Sequence, residues 1–262
     1  MIQAIAHPTD FSETSLSAFK HALSLAVTLR CRLDILHVRF THNPAPWQDF
    51  PEVRETLAAW GLLPAGAPHH AIHDRLGVTV RKIDIRAEDA IHGLAAFIAD
   101  HRPDLVVAAA HHTTAVSRWT SVSERILHHT RLPTLLFGPR SRPFIADQSG
   151  ALHLNTLLVP VTCKASSAHA LATLGTLFEP LQMKRHVLHV GDAIAANDNA
   201  DRIVHVQQGP VVETIVAMAE TLQADIIAMP RAGPRGLLDA LRGSTSTRVI
   251  ERATCPVLAL PN

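Results

Sequence analysis

The feature that most constrains the fold of this 262-residue chain is an internal repeat, because similar segments recur in the same order in both halves. Ile2 to His7 and Thr156 to Val159 are apolar runs, and each is followed directly by a proline. Near the end of each half, Leu132 to Leu136 matches Cys255 to Ala259. Repetition on this scale predicts two copies of one folding unit.

The spacing between matched positions supports the repeat. The matched pairs and their separations are Pro8 with Pro160 (152 positions), Asp104 with Asp225 (121), Thr120 with Gly243 (123) and Pro133 with Pro256 (123). The last part of each copy therefore keeps one register. The second copy has lost about 31 residues between its first strand and Asp225, and the first copy has lost two residues in the loop before Thr120.

Each copy alternates apolar strands with amphipathic helices, which predicts right-handed crossovers and parallel strands with helices on both faces. We therefore predict an α/β fold with two similar domains. Each has a parallel five-stranded sheet, order 3-2-1-4-5, flanked by helices. The predicted boundaries are 1–139 for the first domain, 140–152 for a linker rich in Pro, Arg and Ser, and 153–262 for the second, shortened domain.

The predicted elements follow from these patterns. In the first copy the strands are Ile2–His7, Arg32–Arg39, Val78–Ile85, Leu105–Ala109 and Thr134–Phe137, and the helices are Ser15–Leu29, Glu52–Trp60, Asp89–His101 and Ser121–His129. In the second copy the strands are Thr156–Val161, Arg185–Val190, Arg202–Gln207, Asp225–Met229 and Pro256–Leu260, and the helices are Ser166–Phe178, Val211–Leu222 and Thr245–Arg252.

Composition narrows the class of protein. A formal net charge of +1 offers no electrostatic case for nucleic acid or an anionic membrane. The three cysteines are far apart and form no C-x-x-C pair, which favours a reducing compartment. The amino-terminal residues do not read as a signal peptide, and no apolar run reaches the length of a membrane span. We expect a cytoplasmic location.

The stretch from Met229 to Ser246 is the strongest candidate for a binding site. An apolar strand ends at Pro230, a loop with Gly233 follows, and a hydroxyl-rich helix start comes after Gly243. Strand, glycine loop and helix start are the parts of a phosphate cradle, because a helix start offers unpaired N–H groups and glycine lets the backbone approach a ligand. An ordinary strand–loop–helix connection with a serine N-cap is the alternative.

These residues carry a resemblance to the universal stress protein family. NTLLVPVT at 155–162, HPTDFSE at 7–13, DIIAMPRAG at 225–233 and GSTSTRVIERATCPVLAL at 243–260 resemble the family's strands and loops over nearly the whole chain, as a tandem pair. The family's nucleotide motif is G-x2-G-x9-G-S/T. Gly233 followed by Gly243 and Ser244 fits its last three positions, but Pro230 stands at its first glycine.

The resemblance implies that the second copy binds ATP or AMP. Val161 and Val190 would edge the adenine through their backbone, and the glycine loop and helix start would hold the phosphates. The residues implied in the site are Pro160, Val161, Thr162, Val190, Met229, Arg231, Gly233, Gly243, Ser244, Thr245 and Ser246. Arg231 and Arg242 would be cations near the phosphates, and the alternative is that both are solvated surface charges.

The first copy departs from the family's pattern. It keeps Asp10, but its loop reads Ala109-Ala110-His111-His112 without the glycines, and Thr120-Ser121 replaces Gly-Ser. We expect it to hold no nucleotide, because alanine blocks close backbone approach. Asp10 is instead expected to cap the first helix together with Glu13, as a capping box.

Other candidate sites are weaker. His69 and His73 are four residues apart and would present two nitrogens on one face if that segment were helical, but we expect no metal site. Cys163 beside the second-copy site is read as a small apolar residue rather than a reactive thiol. The sequence contains no P-loop lysine motif and no acid–base pair, so we expect no enzyme, or at most weak ATP hydrolysis.

The leading hypothesis is a stress-response protein that binds adenine nucleotide in its second domain and acts by conformation or through partners. The alternatives are a tandem scaffold that binds no nucleotide, which Thr162 and Pro230 favour, and an enzyme of the same fold. The expected partners are adenine nucleotide, with no nucleic acid and no membrane. The resemblance also implies an intrachain pseudo-dimer through Thr134–Phe137 and Val257–Leu260, and it leaves a homodimer open.

Overall fold

The computed structural model describes residues 2–40, 47–110, 132–161, 164–192, 202–230 and 245–261. Ten strands lie in this part of the chain: β1 Ala4–Pro8, β2 Arg32–Arg39, β3 Thr79–Arg86, β4 Leu105–Ala109, β5 Thr134–Phe137, β6 Thr156–Val161, β7 Lys184–Val190, β8 Arg202–Gln207, β9 Ile226–Pro230 and β10 Val257–Leu260. The helices are α1 Glu13–Leu29, α2 Val53–Ala59, α3 Ala71–Leu76, α4 Ala90–His101, α5 Lys164–Phe178, α6 Val211–Thr221 and α7 Thr245–Arg252.

The chain divides into two compact units. The amino-terminal unit comprises Ile2–Ala109 and Pro143–His153, and the carboxy-terminal unit comprises Ala110–Arg142 and Leu154–Asn262. Strand β5, at the end of the first sequence copy, thus belongs to the carboxy-terminal unit. The sequence-based boundaries 1–139 and 153–262 remain a prediction about domains.

The amino-terminal unit is a parallel α/β sheet in the order β3-β2-β1-β4. Strands β1 and β4 are buried along almost their whole length, as strands covered on both faces must be. Helix α1 packs its apolar face on this sheet, and Phe19, Leu23 and Ala26 are fully buried there. The alternation of strands and helices predicted from the sequence is confirmed.

The carboxy-terminal unit contains the complete order predicted for one copy. Its strands follow β10-β9-β6-β7-β8, all parallel, which is the order 5-4-1-2-3 within the second copy. Strand β5 adds to this sheet by antiparallel pairing with β10, with Leu135 opposite Leu258. The pairing predicted between Thr134–Phe137 and Val257–Leu260 is therefore present.

The same hydrogen-bond pattern occurs at the start of the first strand in each copy. Asp104 Oδ2 accepts from the backbone N–H groups of Gln3 and Ala4 at 2.7 and 3.0 Å. Asp225 Oδ2 accepts from Asn155 and Thr156 at 2.7 and 2.9 Å. Each carboxylate fixes the start of its copy's first strand against the start of its fourth strand.

The segment Pro143–His153 packs on the amino-terminal unit, although its Pro, Arg and Ser content predicts a linker. Phe144 and Ile145 are buried. The Ser24 hydroxyl of α1 donates to the carbonyl oxygen of Gly150 at 2.5 Å. Apolar burial and specific hydrogen bonds thus hold much of the predicted linker in place.

Local details depart from the sequence predictions at two helices. Ser12, and not Asp10, is the N-cap of α1, and its side chain accepts from the Ser15 N–H. Asp10 accepts instead from the N–H and hydroxyl of Ser12, so the predicted capping box with Glu13 is wrong. Helix α3, which follows His69 and includes His73, was predicted only conditionally.

Two further observations bear on the sequence predictions. The predicted helix Ser121–His129 lies outside the described residues. None of the described helices combines the length and apolar character that a membrane crossing requires.

Candidate functional site

In the carboxy-terminal unit, strands β6 and β9 separate towards their carboxyl ends. These two strands pair only at Leu157 with Ile226 and at Leu158 with Ile227. Strand β6 continues to Val161 beside β7, and β9 continues to Pro230 beside β10. The two strands therefore part towards their carboxyl ends, at the point where the strand order reverses, which is where open α/β sheets bind ligands.

The structure places six of the predicted site residues. Pro160 and Val161 end β6, Val190 ends β7, Met229 lies one residue before the end of β9, and Thr245 and Ser246 begin α7. The strand residues therefore lie together at the carboxyl end of one sheet. Val161 and Met229 are mostly buried, with exposed fractions of 7% and 9%.

The remaining predicted site residues lie outside the described part of the chain. They are Thr162, Arg231, Gly233, Gly243 and Ser244. The loop with the family's glycine motif, residues 231–244, is also outside the described part, so the roles of these residues remain predictions.

A histidine that sequence reasoning did not single out lies at this edge. His189 Nδ1 donates to the carbonyl oxygen of Val161 at 3.3 Å, and the ring is buried. Because a carbonyl can only accept, this bond requires a proton on Nδ1. The bond also occupies the Val161 carbonyl, which belongs to the backbone expected to edge the adenine.

An equivalent histidine, His37, makes the same contact in the amino-terminal unit. His37 Nδ1 donates to the carbonyl oxygen of Thr9 at 3.0 Å. Thr9 and Val161 both follow the proline that the two copies share, Pro8 and Pro160. Both histidines lie in a Leu-His-Val run near the end of the second strand of their copy. Comparing the two copies for this tripeptide would have identified the pair.

Aromatic side chains cover the corresponding edge of the amino-terminal unit. Phe11 stacks on the His37 ring with centroids 4.1 Å apart, and it meets Phe50 edge-on at 5.2 Å. Phe11 has φ of 64°, a conformation that bulky residues rarely adopt, so the surrounding contacts must hold it. The first-copy edge is therefore filled by its own side chains near β1 and β2.

Helix α7 is tied to α6 by a pair of ionic contacts. Glu213 Oε1 accepts from Arg252 at 2.6 Å and from Arg248 at 3.1 Å. Its own backbone N–H and the Arg252 guanidinium lower the pKa of Glu213. These exposed contacts lie towards the far end of the helix whose first residues are Thr245 and Ser246.

Within the described residues no three histidine, cysteine or carboxylate side chains come together as metal ligands. His69 precedes α3 and His73 lies within it. Cys163, His111 and His112 lie outside the residues that the structure describes.

Comparison with known proteins identifies the fold. A universal stress protein from Archaeoglobus fulgidus DSM 4304 superposes with a TM-score of 0.64 at 20% identity, covering 99% of this chain and 96% of that one. A protein assigned to the same group from Pseudomonas aeruginosa UCBPP-PA14 gives a TM-score of 0.64 at 15% identity, covering 99% and 93%. At such identities the similarity establishes the fold alone.

The sequence comparison establishes more than the fold. A search of curated proteins gave no match. The sequence model of the universal stress protein family matches residues 1–138 and 164–261, most of both copies. The chain therefore belongs to the universal stress protein family, as a tandem member.

Proposed function

We propose that the carboxy-terminal unit binds an adenine nucleotide, ATP or AMP, and that the chain acts through conformation or partner binding in a stress response. The observation that carries the proposal is the parting of β6 and β9 beyond Leu158 and Ile227. We expect a crevice there, with Val161 at the end of β6 and Val190 at the end of the neighbouring β7, the two residues that family resemblance assigns to the adenine end.

The phosphate end of the proposed site rests on the sequence motif and on the start of α7. Gly233, Gly243 and Ser244 keep the last three positions of the family's nucleotide motif. Thr245 and Ser246 open an eight-residue helix, where N–H groups and hydroxyls favour an anion.

The second candidate is a scaffold that binds no nucleotide, and Pro230 favours it. Pro230 ends β9 at the position of the motif's first glycine. Proline has no N–H to offer a phosphate, and its ring fills space that glycine would leave open.

We propose a binding protein rather than an enzyme, with ATP hydrolysis weak at most. The sequence offers no P-loop lysine, and the histidine at the crevice, His189, already donates its Nδ1 proton to a backbone carbonyl. The cytoplasm is the proposed location, in keeping with the separated cysteines.

The test is acid denaturation of the purified full chain, followed by chromatography of released nucleotide. We expect adenine nucleotide at about one per chain from the wild type and none from Gly243→Asp, because a carboxylate there repels phosphate. Thr120→Asp, at the matching position of the first copy, is the control and should release as much as the wild type.

Two other outcomes would change the assignment. Two nucleotides per chain, with one lost in each variant, would show that the first copy also binds. No nucleotide, together with no thermal shift on adding millimolar ATP, would contradict the proposal and support the scaffold.

A further inference from the structure

We propose that the amino-terminal unit has a second ligand site, for a small amphipathic cation, in a cavity of about 490 Å³ beside helix α1. The cavity lies between the first turns of α1 and the segment from Gln48 to Trp60, and Asp147 closes one side. All of its lining residues belong to the amino-terminal unit. The proposal is therefore independent of nucleotide binding in the carboxy-terminal unit.

The walls of this cavity include a group of apolar side chains. Phe50 and Trp60 are buried, and Phe11 packs edge-on against Phe50. Leu16 is 42% exposed and lines the same cavity. Leu16 and the partly exposed Phe11 can cover an alkyl or aromatic body, and their burial by a ligand would remove apolar surface from water. Phe50 and Trp60 are already buried and only support these two side chains.

The rim of the cavity is acidic. Among the described residues that line it, one ammonium group, Lys20, stands against four carboxylates: Asp49, Glu52, Glu55 and Asp147. None of the four forms a salt bridge with another described residue. Lys82 lies within electrostatic reach of Glu52 and Glu55 but does not line the cavity.

Shape and charge together specify the ligand class. The volume lies in the range of small-molecule sites, about 300 to 1,000 Å³. An anion would face an excess of carboxylates over cationic side chains, whereas an ammonium or guanidinium group would be attracted to them. A ligand with one cationic head and an apolar body therefore complements both the wall and the rim.

Isosteric probes of different charge test this site in the full chain. Binding of phenethylamine, 2-phenylethanol and phenylacetate would be measured by calorimetry at neutral pH. We expect the cation to bind about tenfold more tightly than the neutral alcohol, and the anion not to bind measurably. Similar affinities for all three probes would overturn the proposal. So would a lack of phenethylamine binding up to about 10 mM, the range of weak small-ligand affinities.

Charge-neutralising variants locate the site. The triple variant Asp49→Asn, Glu52→Gln, Glu55→Gln should lose the roughly tenfold preference for the cation. The control removes three exposed acids elsewhere in the same unit, through Asp74→Asn, Glu88→Gln and Asp100→Asn, and should keep that preference.

A variant that fills the cavity provides an independent check. Ala59→Phe, at an exposed lining position, should weaken the cation and the alcohol alike without lowering the thermal midpoint. Preference for the cation that persists in the rim variant would overturn the assignment. If the wild type were a dimer and only the triple variant of Asp49, Glu52 and Glu55 were a monomer, a second copy of the chain would cover this face instead.

Discussion

The imidazole of His21 in α1 accepts a hydrogen bond from the backbone N–H of Phe144, with 3.2 Å between Nε2 and the nitrogen. On the other side of the ring, Nδ1 donates to the carbonyl oxygen of Ser17 at 2.8 Å. The Phe144 ring also packs edge-on against the imidazole at 4.5 Å. Only the neutral ring can accept at Nε2, so this hydrogen bond between α1 and the segment Pro143–His153 requires a neutral His21.

The amino-terminal unit should consequently lose stability in mild acid. Burial lowers the pKa of His21 to about 4, and burial likewise lowers the pKa of His7 to about 4. Between about pH 6.5 and 4 the unfolded chain binds protons that the folded chain does not. As the pH is lowered from about 6.5 to 4, the free energy of unfolding should therefore decrease by up to about 1.4 kcal/mol per pH unit for each histidine. It should be fully regained above about pH 6.5.

Urea unfolding at pH 7.5 and 5.0 measures this dependence. His21→Gln should reduce the difference between the two pH values, whereas His73→Gln, on the exposed side of α3, should leave it unchanged. An equal pH dependence in wild type and His21→Gln would contradict the role of the Phe144 contact.

A buried carboxylate holds β2 and β3 together, and its partner should be needed for stability. Asp34 is fully buried, and Arg81 binds both of its oxygens at 2.6 and 2.9 Å. Arg81→Met should cost about 2 kcal/mol, less than a fully buried pair, because the guanidinium is a third exposed and Arg32 still contacts Asp34.

The matched comparison for Arg81→Met is an ion pair at the surface. Glu213→Gln removes the contacts to Arg248 and Arg252, which water already screens. Its urea midpoint should stay at the wild-type value. A loss in Glu213→Gln as large as that in Arg81→Met would contradict the distinction between buried and exposed pairs.

Two glycines should respond oppositely to substitution by alanine. Gly150 has φ of +63°, and a Cβ there would collide with the Trp60 ring, so Gly150→Ala should destabilise the chain by about 1 to 3 kcal/mol. Gly175 lies within α5 with open space around it, so Gly175→Ala should stabilise by up to about 1 kcal/mol through helix propensity. Thermal unfolding of both variants tests the pair, and the same sign in both would refute the argument.

The strands were predictable because the two copies report the same periodicity independently. Arg32–Arg39, Leu105–Ala109 and Thr134–Phe137 have the bounds that their apolar patterns predict. The burial of Phe144 could not be predicted in this way. It depends on His21, 123 positions earlier in the chain, and local composition carries no signal of such a contact.

The functional residues were predicted less completely than the strands. Ser12 and Asp10 are both good capping residues, so chain pattern alone could not decide which one caps α1. His189 was overlooked although His37 repeats it, since a single buried histidine is ordinary. The acidic cavity joins α1 to residues from Gln48 onwards and to Asp147, a set that only the tertiary fold brings together.

The antiparallel pairing of β5 with β10 predicts how separate halves would behave. Leu135 lies opposite Leu258, and both side chains are fully buried. Residues 153–262 expressed alone would lose β5 and expose β10 as an apolar sheet edge, which is an unstable arrangement in water. We expect fragments 1–139 and 153–262 to dimerise or precipitate when produced separately, and to form a soluble one-to-one complex when co-expressed. Light scattering after size-exclusion chromatography measures this, and two stable monomers would show that the pairing contributes little.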